Sequence, residues 1–137
     1  MFRKLQRKDY YSFAPLVKHE YSSDLTRGEY NSFLNSLQDN HEIWVMYNVE
    51  DRIIASGSIL FETKLNPKQC MFAHVQDILI ANGHQPEKMG KEICTFLLQY
   101  AKHKGCSKTF LNCPKDYISF FEKCTVNEKN RQFVYYY

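Results

Sequence analysis

Two rhythms of polar and apolar positions divide this chain. Residues 2–5, beginning at Phe2, read as a short first strand. Between Asp9 and His19 the apolar positions Tyr10, Phe13, Ala14 and Val17 recur three and four apart, which predicts a helix with one buried stripe. A polar loop separates it from a second helix. That helix opens on Thr26-Arg27-Gly28-Glu29, a capping box in which hydroxyl and carboxylate satisfy each other's backbone donors. It carries Tyr30, Phe33, Leu34 and Leu37 on one face. From Ile43 the rhythm shortens. Residues 43–47 and 53–61 flank a polar turn and predict a hairpin. Residues 72–80 predict a third long strand, ending in Ile78-Leu79-Ile80. Pro86 suits the first position of a helix, where its missing N–H costs nothing. That helix stripes Met89, Ile93, Leu97 and Tyr100, with Phe96 beside them, and stops at Gly105. A strand over residues 108–112, a short aromatic helix over residues 117–124 and a tyrosine-rich last strand over residues 132–137 complete the order.

The sequence of elements is β-α-α-β-β-β-α-β-α-β, an α+β class with strand–helix–strand packing in its second half. No repeat, low-complexity tract or Pro/Gly-rich linker marks a boundary, so residues 1–137 are expected to form a single domain. Apolar residues at 44% and charged residues at 24% are the balance of a globular protein, which excludes disorder as a description of the chain. A net charge of +3 does not make the strongly basic face that nucleic acid needs. No apolar run approaches the ~20 residues of a membrane span. The basic N-terminal stretch has no apolar core of a secretory signal, so a cytoplasmic location is expected. The five cysteines, Cys70, Cys94, Cys106, Cys113 and Cys124, include no CxxC pair. They are read as reduced thiols, mostly buried, and no metal is expected.

Candidate chemistry concentrates where the third strand runs through a loop into the helix, residues 78–91. A helix N-terminus exposes unpaired N–H groups and the positive end of a dipole, so it can hold a phosphate or pyrophosphate. Lys88 and Lys91 lie in its first two turns, and residues 88–108 hold five lysines against Glu92 alone. Many strand–helix junctions bind nothing, and Gly90 is the one glycine between Gln85 and Lys91. By residue chemistry alone this is a candidate anion site.

The segment Gln85-Pro86-Glu87-Lys88-Met89-Gly90 resembles the Q/R-x-x-G-x-G/A pyrophosphate loop of the GNAT superfamily, the acetyl-CoA-dependent N-acetyltransferases. Its first and last positions match, and Lys88 stands where the superfamily usually has Gly. The glucosamine 6-phosphate N-acetyltransferase branch is more similar still and tolerates a residue other than Gly at that fourth position. The similarity runs from the first strand to the C-terminus. It is greatest in Glu62-Thr63-Lys64, in His74-Val75-Gln76-Asp77 with the three apolar residues after it, in Gly105-Cys106-Ser107-Lys108, and in Phe120-Phe121-Glu122-Lys123-Cys124. The spacing from Lys64 to Asp77 matches that family without a gap.

The resemblance implies a GNAT-like fold, with a mixed, mostly antiparallel central sheet flanked by helices. It implies that acetyl-CoA lies in a V-shaped opening between the strand ending at Ile80 and the strand ending at Asn112. Backbone groups of Ile78, Leu79 and Ile80 would hold the pantetheine arm. Gln85, Pro86, Glu87, Lys88, Met89, Gly90 and Lys91 would take the pyrophosphate. Lys64 and Asn66 would meet the sugar phosphate, and Gln76 and Asp77 the amine, which attacks the thioester directly. It also implies a homodimer through the C-terminal strand. Four positions depart from the family. Its Glu-Asp pair matches Gln76-Asp77, and its thiolate-facing Tyr matches Phe121. Its cofactor-facing Asn matches Tyr117, and a basic residue near the sugar phosphate matches Tyr136.

Each of these residues also has a plainer reading. Asp77 could cap a turn or pair with a lysine; His74 could relay a proton or simply pack in its strand; Lys64 could be a solvated loop lysine. Cys124 is either a thiol neighbour of the cofactor or a core residue, and the last tyrosines are interface or core. Three functions therefore stand at this point. One is acetylation of glucosamine 6-phosphate. The second is a non-catalytic acetyl-CoA-binding or partner-binding domain on the same fold, and the third is acetylation of another amine.

Overall fold

A computed structural model describes residues 1–68, 70–112, 118–122 and 132–137. Its elements in chain order are β1 (Phe2–Lys4), α1 (Tyr10–Tyr21), α2 (Arg27–Ser36), β2 (His41–Tyr47), β3 (Ile53–Thr63), β4 (Met71–Ile80), α3 (Pro86–His103), β5 (Lys108–Leu111) and α4 (Ile118–Glu122), with a single 3-10 turn ahead of α1. The five strands form one sheet in the order β1-β2-β3-β4-β5. The first three junctions are antiparallel, and β4 and β5 run parallel, joined by α3 as a crossover. This is the mixed, mostly antiparallel sheet expected.

The predicted caps are in place. The Thr26 hydroxyl accepts from the Glu29 N–H, and the Glu29 carboxylate accepts from the Thr26 N–H at 2.8 Å. Those bonds hold Glu29 below the usual carboxylate range, the backbone donor of Thr26 contributing most. Pro86 is the first residue of α3, and Gly105, at φ +91°, turns the chain just beyond its end.

Two cores line the two faces of the sheet. On one face α3 buries Ile93, Leu97 and Ala101 against Met46, Ala55, Ile59, Ala73 and Val75. On the other, α1 and α2 bury Phe13, Leu16 and Tyr30 against Val45, Ile53 and Leu79. The Tyr30 ring is fully buried and its hydroxyl donates to the Gln6 carbonyl, so its one polar atom is satisfied. At the outer corner Arg3 donates to both oxygens of the buried Asp9, at 2.6 and 2.9 Å, and reaches Asp51 at 2.8 Å.

Three expectations need correction. Phe33 is 39% exposed rather than part of the buried stripe of α2, because Tyr30 and Leu34 already fill the contact with α1. α1 runs two residues past His19, to Tyr21. Residues 132–137 form no strand. A strand exists only through a neighbour's backbone ladder, and among the described residues nothing pairs with this segment; its Phe133, Tyr135, Tyr136 and Tyr137 side chains are exposed. Of the short helix predicted over residues 117–124, the described part is α4; Tyr117 and Cys124 lie outside the described residues, as does Cys113.

Candidate active site

The site is built from an irregularity in β4. In a regular strand successive side chains alternate between faces. Ala73 and Val75 face α3, so strict alternation would aim Asp77 into the same apolar core. The chain avoids this with one extra residue. Ser58 pairs with Gln76 and Ser56 with Leu79, so Gly57 stands opposite both Asp77 and Ile78. This is a β-bulge, and Asp77 takes it at φ +52°, a conformation Asp tolerates better than most residues. After the bulge the parity flips. Ile78 and Ile80 join the α3 core, and Leu79 joins the α1 core. A side chain at residue 57 would crowd this crossing: a Cβ there would come within 2.7 Å of Leu97 Cδ1 and 2.8 Å of Ile78 Cδ1.

The bulge also splits the sheet. Before it, residues 72–75 of β4 pair with β5 on one side and β3 on the other. The β5 ladder ends at Val75 and Leu111, followed by a bond from the Asn112 N–H to the Val75 carbonyl at 3.2 Å. Beyond that point Gln76, Leu79 and Ile80 pair with β3 alone among the described residues. The outer edge of residues 76–80 therefore presents backbone donors and acceptors beside a diverging β5. Strand bending of this kind is what bulges do next to ligand sites. Phe121 of α4 fills the floor of the divergence. It is 7% exposed and packs with buried Cys94, with Ile78 and Leu111 against them. The residue expected to face the leaving group thus stands beside the strand expected to hold the cofactor arm.

The free edge leads into the start of α3. Gln85 is its N-cap, in extended conformation and without a side-chain cap, so the first N–H groups of the helix are not taken up by Gln85. Glu87, Lys88 and Lys91 are exposed around this end, Met89 packs inward, and Gly90 is buried. These residues fit a pyrophosphate: unsatisfied donors, the positive end of an 18-residue helix, and two lysines.

On the α1 side of the bulge Asp77 is exposed and Gln76 half-buried. A polar row runs away from them: Gln76 pairs with Ser58, and the buried Ser58 hydroxyl lies 2.7 Å from His41 Nε2. Tyr21, at the last turn of α1, is exposed; partial burial, and then the negative charge of Asp77, push its phenol above the ordinary value. Sequence reasoning missed the bulge. The bulge did leave a signal: the consecutive polar pair Gln76-Asp77 interrupts an otherwise alternating strand.

The remaining predicted residues lie apart from this centre. Lys64 pairs with Glu62, drawing that carboxyl below its usual value, and sits 5.5 Å above the Phe72 ring. Asn66 accepts from the Lys68 N–H in the following turn. From Phe72 to Asp77 is about 16 Å along the strand, so one chain does not bring Lys64 and Asn66 to the amine end of the site. His74 stacks on Phe110 with centroids 5.2 Å apart, which favours its packing role. Tyr136 is 85% exposed.

The arrangement is a split parallel strand pair, a bulged strand with one free edge, and a helix N-terminus at the strand's end. It defines an acyltransferase of the GNAT type, and the family model of that name, the acetyltransferase (GNAT) family, matches residues 3–125. The chain belongs to that family. Among individual relatives it is 29% identical over 105 residues to the glucosamine 6-phosphate N-acetyltransferase of Arabidopsis thaliana, covering 76% of this chain and 70% of that one. It is 27% identical over 128 residues to the enzyme of the same name from Candida albicans, covering 90% and 86%. The crystal structure of the Arabidopsis thaliana glucosamine-6-phosphate N-acetyltransferase superposes with a TM-score of 0.85 at 26% identity, over 100% of this chain and 97% of that one. An acetyltransferase structure from Trypanosoma brucei, with a TM-score of 0.87 at 21% identity, shares the fold.

Proposed function

We propose that this chain transfers the acetyl group of acetyl-CoA to the amine of glucosamine 6-phosphate. The observation that carries the proposal is the bulge at Asp77. It sets a carboxylate, a free strand edge and a phosphate-ready helix end in one line. When bound, acetyl-CoA supplies an activated thioester; the N–C bond forms as the C–S bond breaks, and the sulfur leaves as a thiolate that takes its proton from water. The chain contributes positioning and charge stabilisation. N–H groups of the free edge at residues 78–80 hold the arm and polarise the carbonyl. The donors at residues 85–91, with Lys88 and Lys91, anchor the pyrophosphate. Asp77 orients the amine, and Gln76 hydrogen-bonds it without taking its proton, which leaves to water. Phe121 gives the departing thiolate an apolar wall and no proton.

Residues 1–137 act as a single domain in this reading, and the reaction runs in the cytoplasm. The chain works as a homodimer. The distance from Lys64 to Asp77 supports a sugar site completed by a second copy, and the exposed aromatic end over residues 132–137 supplies a surface for it. Sedimentation at micromolar concentration is expected to show a dimer, and a monomer would count against this.

The test incubates the protein with acetyl-CoA and a panel of amines, among them glucosamine 6-phosphate and glucosamine itself, following free thiol. Thiol release with the phosphorylated sugar, far above that with glucosamine, is expected. A second reading, an acetyl-CoA-binding domain with little catalysis, is favoured by one pair of observations: Gln76 cannot accept a proton and Phe121 cannot donate one. Acetyl-CoA binding without turnover of any amine would establish that reading instead.

A further inference from the structure

We propose that Ser58 and His41 are positioning residues of the acetyl-transfer site: with substrate bound, the Gln76 amide donates to Ser58 Oγ, the Ser58 hydroxyl donates to His41 Nε2, and the Gln76 carbonyl oxygen is left to accept from the substrate amine. This rests on the activity proposed above. Three features of the fold support it. First, the three residues share one face of the sheet. Ile59 and Val75 pack against α3, so Ser58 and Gln76, their chain neighbours, face the other way. Val45 lies in the α1 cluster on that other side, and His41, four residues earlier on β2, shares its face. Secondly, they are adjacent. Ser58 stands directly opposite Gln76 in the β3–β4 ladder. Such a pair has Cβ atoms about 5 Å apart, a gap that the flexible arm of a glutamine closes. On its other side Ser58 Oγ lies 2.7 Å from His41 Nε2. Thirdly, Ser58 is 1% exposed, while Gln76 and His41 are half-buried. A hydroxyl kept from water costs free energy unless it is hydrogen-bonded, and the His41 ring supplies that bond between the two strands.

The direction of the relay follows from counting donors. An attacking amine commits its lone pair to the thioester carbon and offers only N–H groups to its surroundings. A side-chain amide has two unlike ends, a carbonyl oxygen that accepts and an NH2 group that donates. Gln76 helps the amine only with its oxygen turned outward, which turns its NH2 group inward. Ser58 then accepts from that group, and its own single proton passes to His41. The His41 Nε2 must therefore be bare, with the ring proton on Nδ1. A carboxylate at residue 76 would need no such orienting, because both of its oxygens accept. Ser58 and His41 stand behind Gln76 rather than at the reacting atoms, so their effect passes through Gln76.

The experiment is a set of double-mutant cycles on the full chain, with Ser58→Ala, His41→Phe and the pair, each in the parent and in Gln76→Glu. Ser58→Ala removes one oxygen atom. Each single change is expected to lower kcat/KM for glucosamine 6-phosphate by about three- to tenfold, the scale of one hydrogen bond. The pair is expected to lose no more than the larger single loss, because either change breaks the same relay. Acetyl-CoA affinity is expected to stay at the parental value. In the Gln76→Glu background the same changes are expected to cost nothing further. Nitrogen NMR of the histidine-labelled parent, with the His41 signals assigned by their loss in His41→Phe, is expected to show a bare Nε2 and a protonated Nδ1 at neutral pH. Parental kcat/KM in Ser58→Ala would overturn the proposal, as would a proton on Nε2. So would an equal loss in both backgrounds, which would make the two residues structural, or a Gln76→Glu variant without turnover, since a carboxylate accepts from the amine at least as well as an oriented amide. All four results leave the parent's activity standing. A parent that turns over no amine would overturn the activity itself, and this inference with it.

Discussion

The two halves of β4 share a strand and differ in what surrounds them. Residues 72–75 are paired with a neighbour strand on both sides, and Ala73 and Val75 are essentially without solvent contact. Residues 76–80 keep β3 and lose β5, and their first two side chains are polar. The difference costs one residue, Asp77, placed in a left-handed conformation. A fully paired strand satisfies its own backbone and has nothing left to offer a ligand. A half-paired strand stays anchored by one ladder and offers the other. Stability belongs to the first half and binding to the second, and substitutions should separate them.

The largest expected effect is on folding. Leu97 is fully buried between α3 and the sheet, in the cluster that holds Ala73 and Val75 of the doubly paired half, and it reaches Gly57 at the bulge. Leu97→Ala should lower unfolding free energy by about 2–5 kcal/mol, measured by urea denaturation. A smaller loss would mean that α3 is not the keystone of that half.

Next in size is the chemistry at the bulge. Asp77→Asn should lower kcat/KM by at least about tenfold, or 1.4 kcal/mol of transition-state stabilisation, with the urea midpoint unchanged because the side chain is exposed. Asp77→Gly sharpens the contrast. It relieves a left-handed residue that costs roughly 1 kcal/mol, so stability should hold or rise while activity falls. A variant that lost stability and kept activity would reverse the assignment of the two halves.

The phosphate end should respond more weakly. Lys91 is exposed in the second turn of α3, and Lys91→Glu should weaken acetyl-CoA binding by about three- to tenfold, the range of one partly screened charge contact. Calorimetric titration checks it, and unchanged affinity would move the pyrophosphate elsewhere. Phe121→Tyr restores a donor at the wall of the opening and should leave kcat equal or raise it; a fall in kcat at parental stability would place the leaving group away from α4.

The smallest effect lies at the far edge of the sheet. Hydrogen bonds from Arg3 and Lys8 hold Asp51 at about 2, below its ordinary 3.8. A carboxyl whose folded value is depressed lends stability fully above the unfolded value and loses it as pH falls through the folded one. Asp51→Asn should therefore flatten the pH dependence of stability between about 4 and 2, with no change in activity at neutral pH.

Much of this was legible in the residue order. Thr26 and Glu29 announce a helix start, Pro86 and Gly105 bracket α3, and the alternation in residues 43–61 gives the hairpin, because caps, turns and periodicity are local properties of the backbone. The loop from Gln85 to Lys91 and the Gln76-Asp77 pair were visible as candidates for the same reason. What only the tertiary structure decided is how distant segments meet. Pairing of residues 72–75 with β5 and its end at Val75 depend on where α3 sets β5 down. The packing of α1 over the second half of β4 joins Leu16 to Leu79, sixty-three positions apart in the chain. The tyrosine-rich end read as a strand by composition, yet a strand is a relation between two chains of backbone, and composition cannot supply the partner.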